Sequence, residues 1–260
     1  MEDLAAWKGL IDRLRAKGAA IFQDCALPLT DAGPREPGVV ALTLLNRTLS
    51  TVEAATLLLD KEMVVEARTL VRTLYENLFC VADLAKRGAA FVEDLEFDDL
   101  HNRKARAGGL LEFAKAQTER ADFVGDLEAF RADLQSRPEK SYSLKFEQAA
   151  QRGNVLPGYV VYRELSTDAA HPSAASLSRH IILNDDPDTA PFSVVGYPQT
   201  SDIELHDTAA LLCSATVGVL VGVNEILGQV KTGETLSALF DAFKELDASN
   251  MAERHAAEAD

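Results

Sequence analysis

From Val39 to Arg87 apolar residues recur at helical spacing, with Val40, Leu44, Val52 and Leu59 marking one stretch and Leu70, Leu74, Leu78 and Val81 the next. Because a residue turns by about 100° along an α-helix, this spacing gathers the side chains into stripes that other helices must cover. The chain is thereby committed to helix-on-helix packing. Leu4 to Cys25 has the same spacing, and Ala26 to Gly38 breaks it with three prolines and two glycines, as a loop or linker does. Ala89 to Arg120 and Ala121 to Arg137 continue the pattern up to Pro138. Ser143 to Gln151 reads as a short helix, Gly153 to Pro157 as a break, and Gly158 to Ala170 as a helix that stops because Pro172 disfavours α geometry at His171.

Residues 172–200 are irregular. The apolar pieces H-I-I-L-N and F-S-V-V-G-Y, separated by Asn184, Asp185, Asp186 and Pro187, predict a loop with a small hairpin. Ser201 to Lys231 and Gly233 to Ala257 are the closing helices. The expected fold is all-α: a multi-helix bundle with an irregular insertion at about 172–200 that holds a short β-hairpin. Its expected divisions are an N-terminal helix and Pro/Gly linker over 1–38, a helical-bundle domain over 39–247 and a frayed acidic tail over 248–260.

At 260 residues and 47% hydrophobic content the chain can bury a sizeable core, and its formal charge of -15 would repel phosphate backbones. Arg103, Lys104 and Arg106 form its one basic run, which reads as a solvated helix face. Cys25, Cys80 and Cys213 are odd in number, far apart and without a C-x-x-C pair, and Glu2 and Asp3 stand where a secretory signal would be basic. A reducing cytoplasm is the expected compartment. Thr208 to Asn224 carries no charge, but it is short for a membrane span and rich in small residues, so a buried core helix is expected and no membrane role. Ser214, Gly218 and Gly222 recur every fourth residue along it, a face where a neighbouring helix or a second subunit of a homodimer could approach closely.

Two helical signatures mark the candidate site: R-T-L-Y-E at Arg72 to Glu76 and Y-R-E-L-S-T-D-A-A-H-P at Tyr162 to Pro172. With Arg72 at zero on the helical wheel, Glu76 lies near about +40°, Val65 near +20°, Phe79 near -20° and Tyr75 near -60°. The two charges are therefore embedded among apolar neighbours, whereas Glu62, Glu66, Thr69, Thr73 and Asn77 read as the outward side. Charges so placed need partners. Arg72 and Glu76 can pair at i, i+4; Arg68, one turn earlier, needs another partner. Tyr162 and Ser166 share a face of the later helix. His171 sits at its C-terminus, where it either caps the helix or supplies acid/base or phosphate-contact chemistry.

These elements, with Ala67 before the first motif and Arg179 with His180 after the second, resemble an uncharacterised bacterial family of helical proteins known only as a domain of unknown function. The resemblance covers roughly residues 40–185 and implies no activity. The chain also distantly resembles the HEPN superfamily of helical metal-independent ribonucleases, found in toxin and phage-defence systems. None of His101, His171, His180, His206 and His255 has the Arg four to six residues upstream that defines those enzymes. Under that reading His171 would act with Arg72 or Arg163, alongside Glu76, on RNA.

Asp94, Asp98 and His101 have the spacing of one half of a di-metal bundle site, but a matching second helix is missing, so no metal or cofactor is expected. Phosphate-loop, dinucleotide and nucleophile-elbow motifs are absent from the sequence. The expectation is a cytoplasmic binding or regulatory module, set in stress or phage defence. Arg68, Tyr162, Ser166, Arg179 and His180 would line a polar inter-helical pocket for a small ligand or protein partner. The alternatives are the nuclease and a structural oligomer.

Overall fold

The computed structural model describes residues 2–27, 30–116, 121–136, 142–184, 190–198, 200–228 and 230–257. Pro138, Asp185, Asp186, Pro187 and the last three residues of the acidic tail lie outside them. The fold is all-α with one small hairpin. The elements are α1 (Glu2–Asp24), α2 (Pro37–Leu59), α3 (Val64–Arg87), α4 (Ala89–Lys115), α5 (Ala121–Ser136), α6 (Phe146–Arg152), α7 (Leu156–Leu165), a π-turn (Ser166–Ala170) and α8 (Ala174–Ser178). Strands β1 (Ile181–Leu183) and β2 (Phe192–Val194) and helices α9 (Asp202–Ile226) and α10 (Val230–Ala257) follow. The strands pair antiparallel, Ile181 opposite Val194 and Leu183 opposite Phe192.

The chain divides into two compact units, residues 87–145 and the remainder. In the smaller unit α4 packs on α5 around Leu111, Ala114 and Leu127. The larger unit is organised on α9, whose uncharged stretch is apolar on every side and therefore sits inside the bundle. Ala209, Leu212, Cys213, Val219, Leu220 and Val223 are fully buried there, and α1, α2 and α10 pack around it. The helix is long and apolar enough to cross a membrane, yet 61% of its apolar window is buried within the chain. A Cβ added at Gly218 would lie 2.6 Å from Leu78 Cδ1 and one at Gly222 2.5 Å from Val81 Cγ1, so this small-residue face receives α3 of the same chain. Trp7 of α1 closes the other side, its ring 6.1 Å from Phe243 of α10.

Several boundaries differ from the sequence expectation for local reasons. Helix α7 starts before Pro157, because the first turn of a helix needs no N–H donor there. Helix α9 stops at Ile226 rather than Lys231, since Gly228 turns the chain with φ 63°, a left-handed conformation that glycine adopts freely. Helix α6 begins at Phe146, three residues later than expected. Asn77 corrects the outward assignment: it is 3% exposed, and its Nδ2 donates to Thr48 Oγ1 of α2 at 3.2 Å. A polar side chain can sit on the buried face when another helix supplies its partner.

Where α6 ends, Gly153 lies against α3. A Cβ there would fall 2.5 Å from Ala82 Cβ and 2.9 Å from the Ala82 carbonyl carbon. Backbone cannot step aside as a side chain can, so Gly153→Ala is expected to cost about 1–3 kcal/mol in chemical denaturation. An unchanged midpoint would show that the two segments are free to part.

Candidate functional site

The polar cluster forms where the first half of α3 meets α7, the π-turn and the start of α9. An aromatic layer sets α7 on α3: Phe79 lies 5.9 Å edge-on from Tyr162, 6.3 Å from Tyr159 and 6.4 Å from Phe146. Gly158 lets α7 approach, since a Cβ there would already be 3.3 Å from both Tyr75 and Phe79. With the helices so seated, Arg72 Nε donates to Ser166 Oγ at 2.8 Å and Nη2 to Tyr162 Oη at 2.8 Å, while Nη1 pairs with Glu76 Oε1 at 3.1 Å. The same guanidinium lies 4.7 Å from the centre of the Tyr162 ring.

One turn earlier on α3, Arg68 finds the acid it requires in Asp168 of the π-turn, and its Nε donates to Thr208 Oγ1 of α9 at 3.1 Å. Arg179, just beyond α8, grips Asp168 from the other side, with Nε 3.0 Å and Nη2 2.8 Å from Oδ1. Its Nη1 donates to Glu204 Oε1 at 2.6 Å. Glu204 also closes the capping box of α9: its backbone N–H donates to Ser201 Oγ at 3.2 Å, and its Oε2 faces the Ser201 N–H.

The cluster thus holds three arginines and three carboxylates, all with side chains between 14% and 25% exposed. Burial pushes the Asp168 carboxyl up, but the hydrogen bonds and charges of Arg68 and Arg179 outweigh it and hold the group below its ordinary range. For Glu76 the balance is reversed: burial dominates over Arg72, Tyr162 and Arg47, and its pKa is raised. Burial also pushes the Tyr75 hydroxyl up to about 12, although Ser214 hydrogen-bonds it.

Of the residues expected at the site, Arg68, Arg72, Glu76, Tyr162, Ser166 and Arg179 come together. The other three lie apart. His171 is exposed in extended backbone just past the π-turn, and its carbonyl, rather than its ring, accepts from Ser173 N at 2.8 Å and Ser176 Oγ at 2.9 Å. Arg163 is exposed on α7, and His180 fastens the hairpin through Nδ1, 3.2 Å from the Val195 carbonyl oxygen. Asp168, Glu204 and Thr208 complete the cluster without having been singled out in the sequence; the need of Arg68 for a partner is met by Asp168 and Thr208. Elsewhere, Asp94 is held by Arg87 at 2.6 Å, Asp98 accepts from the Leu144 N–H at 2.7 Å, and Arg103 pairs with Asp99 at 2.7 Å. No group of three metal-binding side chains occurs among the described residues.

A family model described as a family of unknown function, DUF5677, matches residues 38–189, more than half of the chain. The chain belongs to this family. No curated protein and no solved structure matches it. The DUF5677 region spans α2 to β1 and carries all three arginines of the cluster together with Glu76, Tyr162, Ser166 and Asp168. Glu204 and Thr208 come from α9, beyond the matched residues, so the cluster ties the DUF5677 region to the helix that follows it.

Proposed function

We propose that this DUF5677 protein is a binding or regulatory module in which the arginine–carboxylate cluster is a latch on the π-turn rather than a catalytic centre. The observation that carries the reading is that every arginine of the cluster is engaged by acceptors of the chain itself, at a net charge of zero. Arg72 turns its Nε, Nη1 and Nη2 to Ser166, Glu76 and Tyr162. His171, the acid/base of the nuclease reading, stands exposed outside the network. π-Turns concentrate at functional positions, and this one is held from α3 and from Arg179 at once. The three free thiols, two of them buried, favour a reducing cytoplasm as its setting.

Arg72→Ala is expected to lower stability by about 2 kcal/mol, by taking the guanidinium away from Glu76, Ser166 and Tyr162. It should also speed tryptic cleavage after Arg163 and Arg179, which flank the released turn. His171→Ala should leave stability within about 0.5 kcal/mol, as exposed substitutions do. Neither variant nor the wild type should cleave RNA. RNA cleavage by the wild type that disappears in His171→Ala at unchanged melting temperature would replace the latch with the nuclease.

A further inference from the structure

We draw no further inference here: the strongest candidate, the exposed apolar face that Ile181, Leu183, Phe192 and Val194 form on the β1–β2 hairpin, is an unpartnered surface, and nothing in the structure shows what covers it.

Discussion

Asp168→Ala is expected to cost about 3 kcal/mol, a fall of roughly 6–12 °C in Tm, because it removes one of the two acids shared by Arg68 and Arg179 and leaves Glu204 alone to serve both. Both guanidiniums are more than four-fifths buried and would be left to crowd Glu204. Its pH dependence separates this from simple loss of packing. The folded pKa of Asp168 is depressed below its usual 3.8, so its contribution is complete above 3.8 and disappears as pH falls through the folded value. Glu76 acts with the opposite sign: its folded pKa is raised above 4.5, so its contribution is complete below 4.5 and fades as pH rises through the folded value. Acidification of the wild type should first relieve Glu76 and then, below 3.8, undo Asp168. The Asp168→Ala variant should keep the first limb and lose the second. A Tm within about 2 °C of wild type would remove the latch as a contributor to stability.

Arg152→Met should be as severe, at about 3–5 kcal/mol, for a reason that lies deeper in the fold. Asp83 of α3 has no exposed side-chain surface, and Arg152 holds it at the end of α6 with Nε 3.0 Å and Nη2 2.6 Å from Oδ2. Without that guanidinium an interior carboxylate loses the charge and the hydrogen bonds that Arg152 supplies. The reciprocal change should be milder, because Arg152 is 31% exposed and can turn to water. Asp83→Leu combined with Arg152→Met should then recover much of the loss, since an apolar pair of similar volume leaves no interior charge. Urea midpoints of the two single variants and the double variant check this, and equal single-variant losses would refute the asymmetry.

The helices are legible in the sequence because their stripes are long. The periodicity of α2 and α3 ends in buried stripes that include Val52 and Leu59 on one helix and Leu74, Leu78 and Val81 on the other, and Pro172 dictates by itself where the α7 segment ends. The hairpin is readable from two apolar pieces flanking turn residues. The cluster is legible only in part. Arg72, Glu76, Tyr162 and Ser166 stand out as polar residues among apolar neighbours, and Arg68 announces an unmet need. Its partner stays hidden because Asp168 reaches Arg68 through a π-turn, whose wider winding breaks the arithmetic of 100° per residue on which a helical wheel depends. Glu204 is concealed differently: in Ser201-Asp202-Ile203-Glu204 it reads as a complete capping box, with no sign that its second oxygen serves elsewhere. Asp83 and Asn77 look like ordinary polar interruptions, since what buries them is supplied by Arg152 and Thr48, sixty-nine and twenty-nine residues away.

The two oxygens of Glu204 give the molecule a mechanical property. One closes the first turn of α9 and the other anchors Arg179, so the beginning of the central helix and the segment after the π-turn share a single carboxylate. Drawing Arg179 away removes one of the holds on the side chain that caps α9, and fraying there loosens the anchor of Arg179. Opening of either segment therefore weakens the other, which couples the segment near residue 179 to the innermost helix of the bundle without passing through its core.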